Sequence, residues 1–243
     1  QPSKPRNSGR TRASSVGWLI VVSMGRDYRG PPGRIRLADN PLMAPPQPPS
    51  PTTHLLYLHG FRSSPQSAKA RLVATYVAQN HPNVLLWCPQ LPPSPRAAME
   101  MLRQGIADWP NPNMAVIGSS LGGYYAAWVA QQARCPSVLL NPAVNPARDL
   151  AHHIGDQTSW HDPEEHFYFA PEFVDELRAL DVRGLAPAAR QLAIIAKGDE
   201  VLDWREMLAR YAQAQVTLLE GGDHALSDFA QHLPAVARFL RLA

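Results

Sequence analysis

Hydrophobic and polar positions follow one pattern before about His54 and another after it. From His54 onward, short apolar runs of strand length alternate with longer stretches whose apolar residues recur at helical spacing. That alternation predicts a parallel sheet covered by helices on both faces. The strand candidates are Leu55–Leu58, Val84–Trp87, Met114–Ile117, Ser137–Leu140, Leu192–Ala196 and Val216–Leu219. Ser67–Gln79 places Leu72, Val73, Tyr76 and Val77 on one helical stripe. Arg96–Trp109 does so less cleanly, and Leu121–Ala133 is helical and rich in small residues. The last helix spaces Phe229, Leu233, Val236 and Leu240, and Pro234 is expected to delay its start or split it. The expected fold class is α/β, with about six strands in a mainly parallel sheet. There is no internal repeat.

Before His54 the texture is different. Ten of the 25 prolines fall in the first 53 residues, including the run from Pro45 to Pro51. Proline fixes φ and removes a backbone donor, so this stretch enters neither a helix interior nor a central strand. The apolar island Val16–Met24 follows basic residues, yet Gly25-Arg26-Asp27 comes next in place of a small-x-small cleavage site. Residues 1–53 therefore read as a Pro/Arg-rich disordered extension, or as translated sequence upstream of a start at Met24 or Met43. The compact domain is expected over residues 54–243, with a cap-like insertion over about residues 142–190.

Charge follows the same division. The 243 residues carry a net charge of +3 and the pI is near 9.0, which by itself points to an acidic partner such as nucleic acid. Residues 1–42 hold eight Lys or Arg against Asp27 and Asp39, a net of +6. The remaining 201 residues carry 15 basic and 18 acidic groups, a net of −3. The basicity belongs to the leader, and the domain gives no reason to expect nucleic acid. No apolar run approaches the ~18–20 residues of a membrane-spanning helix. Two cysteines exclude a disulfide framework and a four-thiolate zinc module. Cys88 and Cys135 are expected to be buried free thiols of a reducing compartment.

Chemistry concentrates after the third candidate strand. Met114-Ala115-Val116-Ile117 runs into Gly118-Ser119-Ser120-Leu121-Gly122-Gly123 and then into a helix, which is G-x-S-x-G in a strand–turn–helix setting. A nucleophile on so sharp a turn needs residues without bulk two positions before and after it. Gly118 and Gly122 meet that demand for Ser120, whereas Ser119 would be flanked by Ile117 and Leu121. The motif alone is also compatible with an ordinary Gly-Ser turn, so the remaining parts decide.

A serine hydroxyl needs a base to take its proton. His224, in Gly221-Gly222-Asp223-His224 after the last strand, stands in the Ser…acid…His order of this topology. Asp199 follows the turn glycine after the preceding strand and can orient the imidazole. Glu200 and Asp203 are alternatives, with Asp203 better suited to capping the next helix. Backbone N–H groups of Leu121 and Phe61, the latter in His59-Gly60-Phe61 after the first strand, are the candidate oxyanion donors. His59 reads as a loop-shaping residue, and His81 and His232 as solvated surface.

Five ordered segments carry a resemblance: Tyr57–Ala70, Gly118–Tyr125, Asn141–Val144, Gly198–Asp203 and Gly221–Ala225. Over about His54 to Leu242 the chain resembles the YqiA/YcfP-type small bacterial α/β-hydrolases. The resemblance implies the α/β-hydrolase fold and a cytoplasmic esterase or thioesterase acting on small acyl esters without a cofactor. It also puts Ser120, Asp199 and His224 on that family's triad. Arg62 stands where a small polar residue such as Asn is expected, and Trp204 where a tyrosine is usual.

The insertion is rich in His and aromatics, among them His152, His153, Trp160, His161, His166, Phe167, Phe169 and Phe173. Its spacing fits no standard metal-ligand pattern, so no metal is expected, and Phe167–Phe173 is expected to line an acyl pocket. The candidate substrate contacts are Arg62, Tyr124, Phe167 and Trp204. Lys69 is expected to be structural, and the protein to be a monomer or a weak homo-oligomer. The rival readings are a non-catalytic relative used as a binding protein, a nucleotide-binding α/β protein, and a peptidase or lactonase on the same fold. Neither G-x-G-x-x-G nor a Lys-Ser/Thr after the glycines supports the nucleotide reading.

Overall fold

Runs such as Leu55-Leu56-Tyr57-Leu58 have no polar face, so a strand made of them must be covered on both sides. The computed structural model, which describes residues 50–160, 162–180 and 190–243, shows how this is done. In chain order the elements are β1 (His54–Leu58), α1 (Ala68–Asn80), β2 (Leu85–Trp87), α2 (Pro95–Gly105), β3 (Met114–Ser119), α3 (Leu121–Ala133) and β4 (Ser137–Leu140). They continue with α4 (Pro146–Asp149), β5 (Gly155–Thr158), β6 (His166–Phe169), α5 (Pro171–Ala179), β7 (Gln191–Ala196), α6 (Trp204–Arg210), β8 (Gln215–Leu219) and α7 (Phe229–Leu240).

Six strands form one sheet in the order β2-β1-β3-β4-β7-β8, and every pairing in it is parallel. Alternate side chains feed two cores. Leu55 and Tyr57 meet α1 and α7 on one face, while Leu56 and Leu58 meet α2 and α3 on the other. The chain leaves β1 toward β2 on one side and resumes at β3 on the other. The carboxyl ends of β1 and β3 therefore flank the point where strand order reverses, the place where open α/β sheets bind ligands. This is the α/β-hydrolase fold.

Helix boundaries follow from end chemistry. Ser67 accepts from the Ala70 N–H to cap α1, and Ser94 accepts from Ala97 N–H ahead of Pro95 in α2. α2 stops at Gly105 rather than continuing to Trp109. A side chain at residue 105 would collide with the Trp87 ring, and Pro110 disfavours a helical residue before it. α7 is the larger correction. It runs unbroken through Pro234, because Phe229, Leu233, Val236 and Leu240 are buried in the core beneath it. The proline ring and Ala230, whose carbonyl loses its helical donor, both face solvent.

Between β4 and β7 lie α4, a 3-10 turn at Leu150–His153, α5 and a small antiparallel sheet of β5 and β6, in register from Gly155 opposite Phe169 to Thr158 opposite His166. Residues 1–49, His161 and residues 181–189, which hold most of the extension and parts of the insertion, lie outside the described residues. Among the described residues no helix is long and apolar enough to cross a membrane. Cys135 is buried and Cys88 half-buried, both as free thiols. Burial pushes the Cys88 thiol up to about 11 and that of Cys135 up to about 12.

Pro234→Ala restores a donor and removes a ring clash at an exposed helix position. It should stabilise the protein by about 1–3 kcal/mol, read as a raised urea midpoint with an unchanged m-value.

Candidate active site

β3 ends in a turn with no room to spare. Ser120 has φ 57° and ψ −122°, a region side chains rarely occupy. A Cβ on Gly118 would lie 2.1 Å from the Gly122 carbonyl oxygen, and one on Gly122 would lie 2.1 Å from that of Leu58. The backbone of Ser120 is fixed on both sides. Its N–H donates to the Leu140 carbonyl at 2.9 Å, and its carbonyl accepts from Gly123 at 2.9 Å and Ala143 at 3.0 Å.

The Ser120 hydroxyl lies 3.0 Å from His224 Nε2, and His224 Nδ1 lies 2.8 Å from Asp199 Oδ2. The Asp199 side chain is fully buried. Its other oxygen accepts the Val201 and Leu202 N–H groups, each at 2.8 Å. Nδ1 therefore donates to the carboxylate, and the Nε2 lone pair faces the serine. Asp203 caps α6 through the Arg205 N–H, and Asp223 turns toward Ser227.

Three further groups set this row, and the sequence reading gave none of them this role. Asn141 ends β4, is fully buried and has φ 40°. Its Oδ1 accepts from Ala196 N–H at 2.8 Å, and its Nδ2 donates to the carbonyls of Asp223 at 3.0 Å and His224 at 3.3 Å. Glu200 accepts the His224 backbone N–H at 2.9 Å. Lys69 Nζ donates to the Ala225 carbonyl. Burial lowers its pKa to about 8 against the pull of Asp223 and Asp199. The only sequence signal was placement: Asn141, Lys69 and Glu200 all fall inside the segments that carry the family resemblance.

A cavity of about 800 Å³ opens over Ser120 and His224, with Phe61, Arg62, Lys69 and Trp160 in its walls. A second cavity of about 260 Å³ lies across the Phe61–Arg62 segment, lined by Leu91, Met101, Leu121, Tyr125 and Phe167. No described carbonyl accepts from the N–H of Phe61 or Leu121. His59 shapes the loop as expected, its Nε2 accepting from Leu91 N–H at 3.1 Å.

The four candidate substrate contacts separate. Arg62 borders both cavities, and Phe167 borders the smaller one. Tyr124 is buried, with its hydroxyl donating to the Leu177 carbonyl at 3.3 Å, and it borders neither cavity. The fourth position of α3 faces the insertion, not the mouth. Trp204 packs on the core beneath the Lys197 and Arg205 cations, also away from the cavity walls. Phe169 is core as well.

Asn141→Ala strands the buried Ala196 N–H and removes a donor from the half-buried carbonyls of Asp223 and His224. It should cost about 2–4 kcal/mol of stability by urea unfolding. Lys69 offers a test against pH. Its folded pKa of about 8 lies below its ordinary 10.5, so between those values the unfolded chain binds more protons. Its contribution to stability therefore rises with pH across that window and is flat below it. The stability difference between wild type and Lys69→Met should shift toward the wild type from pH 8 to 10.5, measured by paired unfolding curves.

Among solved structures, the chain is similar in fold to Est1E of Butyrivibrio proteoclasticus with ferulic acid bound, which superposes with TM-score 0.60, at 14% identity, over 80% of this chain and 88% of that one. Mouse alpha/beta hydrolase domain-containing protein 10 gives 0.59 at 14% identity, over 79% and 92% of the two chains. The esterase domain of a Rhodothermus marinus protein gives 0.55 at 18% identity, over 77% and 87%. By sequence, a UPF0227 protein of Vibrio parahaemolyticus is 23% identical over 187 residues, 76% of this chain and 98% of that protein. The model of the uncharacterised protein family UPF0227 matches residues 54–241. The chain thus belongs to UPF0227, the family of the YqiA/YcfP type that its motifs resemble.

Proposed function

We propose that this protein is a serine hydrolase that cleaves small acyl esters or thioesters through an acyl-enzyme. The observation that carries the reading is the unbroken row from Ser120 Oγ through His224 to the buried Asp199, at the wall of a large cavity. Its fold-level neighbours include esterases, which accords with it.

The chemistry follows from the atoms. Ser120 Oγ attacks the acyl carbonyl carbon as its proton passes to His224 Nε2, and Asp199 stabilises the imidazolium formed. The negative charge developing on the carbonyl oxygen falls to the N–H groups of Phe61 and Leu121. Collapse of the tetrahedral species breaks the bond to the alkoxide or thiolate, which takes the proton from His224 and leaves. Water then repeats the sequence with His224 as base, releasing the acid and restoring Ser120. The serine's proton departs on the alkoxide or thiolate and a proton from water replaces it, both by way of one imidazole, so the residues in hand supply each step.

Ser120→Ala should remove labelling by a serine-directed fluorophosphonate and lower hydrolysis of p-nitrophenyl butyrate by at least about a thousandfold, with folding intact by circular dichroism. Full activity in that variant would end this reading. A panel of esters and acyl-CoA thioesters of graded chain length then separates esterase from thioesterase.

A further inference from the structure

The segment that carries the Phe61 N–H is irregular backbone between β1 and α1. After β1 its turn closes on a long bond, Ser63 N–H to the Gly60 carbonyl at 3.3 Å. Arg62 sits at φ 56°, a conformation that persists in a bulky residue only where surrounding contacts over-determine it. Those contacts come from the insertion. Arg62 Nε donates to the Thr158 carbonyl at 2.7 Å, and its guanidinium lies 4.1 Å from the centroid of the Trp160 ring. In return the Trp160 backbone N–H donates to the Arg62 carbonyl at 2.8 Å. The neighbouring Phe61 ring meets Phe167 and Phe169 edge-on, at 5.8 and 5.2 Å between centroids.

We propose that Arg62 is a positioning residue: it straps the oxyanion segment to the β5–β6 hairpin and so fixes the direction of the Phe61 N–H. This rests on the acyl-hydrolase reading above and reassigns a side chain first taken as a substrate contact. Its Nε is committed to a carbonyl and its flat face to an indole, so swinging the guanidinium over Ser120 would break both. A planar guanidinium is suited to the double role, donating in its plane and stacking on its face, where an ammonium has no such plane. The small polar residue expected at this position could not span to the hairpin. The strap makes the placement of an N–H on the main domain depend on the insertion.

The test compares Arg62→Ala, Trp160→Ala, Trp160→Phe and the double alanine variant, using p-nitrophenyl butyrate and an alkyl trifluoromethyl ketone. The ketone adds to the serine and presents an oxyanion, so its affinity reads the hole itself. Arg62→Ala should lower kcat by roughly 10- to 100-fold, the worth of a charged hydrogen bond, with KM within about twofold, since ground-state binding is untouched. Ketone affinity should fall by the same factor as kcat/KM. Trp160→Ala should lower kcat about two- to fivefold, as for an exposed cation–π contact, Trp160→Phe should restore it, and the double variant should be no worse than Arg62→Ala. An Arg62→Ala protein that keeps its kcat and ketone affinity, or that changes KM alone, overturns the strap. Should Arg62→Ala fail to fold, the exposed Trp160 decides: a Trp160→Ala protein matching wild type in both readouts overturns it. Failure of the wild type to hydrolyse the ester or bind the ketone would instead sink the acyl-hydrolase reading.

Discussion

A residue with a side chain is forced into a backbone conformation that side chains avoid at Ser120, and the rest of the site is arranged around keeping it there. The turn stays closed because α3 packs against β1 and β3 at contact distances that only hydrogen atoms at Gly118 and Gly122 permit. Hydrogen bonds to Leu140 and Ala143, at and just after the end of β4, and to Gly123 of α3 then hold its peptide groups. Strain of this sort, of order 1–3 kcal/mol, survives only where its surroundings leave no alternative. What it yields is a hydroxyl lifted above the sheet, aimed at the loops that follow β7 and β8.

Those loops would have little reason to meet by themselves. β8 is a half-exposed edge strand, and the glycine-rich turn after it is mostly open to solvent. Asn141 solves this by reaching from the centre of the sheet to both neighbours. One amide side chain satisfies the N–H that ends β7 and two carbonyls of the His224 turn. Glu200 takes the His224 N–H from the opposite direction. The imidazole is thus held through its main chain as well as through Asp199, so its ring has one direction to face.

Much of this was legible from residue patterns. Strands such as Leu192–Ala196 declare themselves because four or five successive apolar residues fit nowhere but the middle of a covered sheet. Ser120 could be separated from Ser119 because sterics admit only one of them between two glycines. The insertion was not legible in the same way. Gly-Asp-Gln-Thr in β5 has no apolar alternation, and its strand exists because the aromatics of β6 pack against Phe61 across the loop. Tyr124 and Trp204 lie on helices near the site, but which way each face turns is decided by tertiary neighbours: Leu177 for one, two cations for the other. At Pro234 local propensity was overruled by four buried apolar residues on the same helix.

The hydrogen bond between Ser120 and His224 joins positions 104 apart in the chain, and the Asn141 bonds to the His224 turn span 82 and 83. Contacts of such separation close late, after local helices and neighbouring strands have formed. The elbow, by contrast, is built from β1, β3, α3 and β4, all in the first half of the compact unit. The contacts that hold Ser120 in its turn therefore span shorter stretches of chain than the one that brings its imidazole beside it. On the proposed reading, that hydroxyl gains its base only when the final strand and its turn dock, so a molecule in which they are undocked would hold the serine without its imidazole.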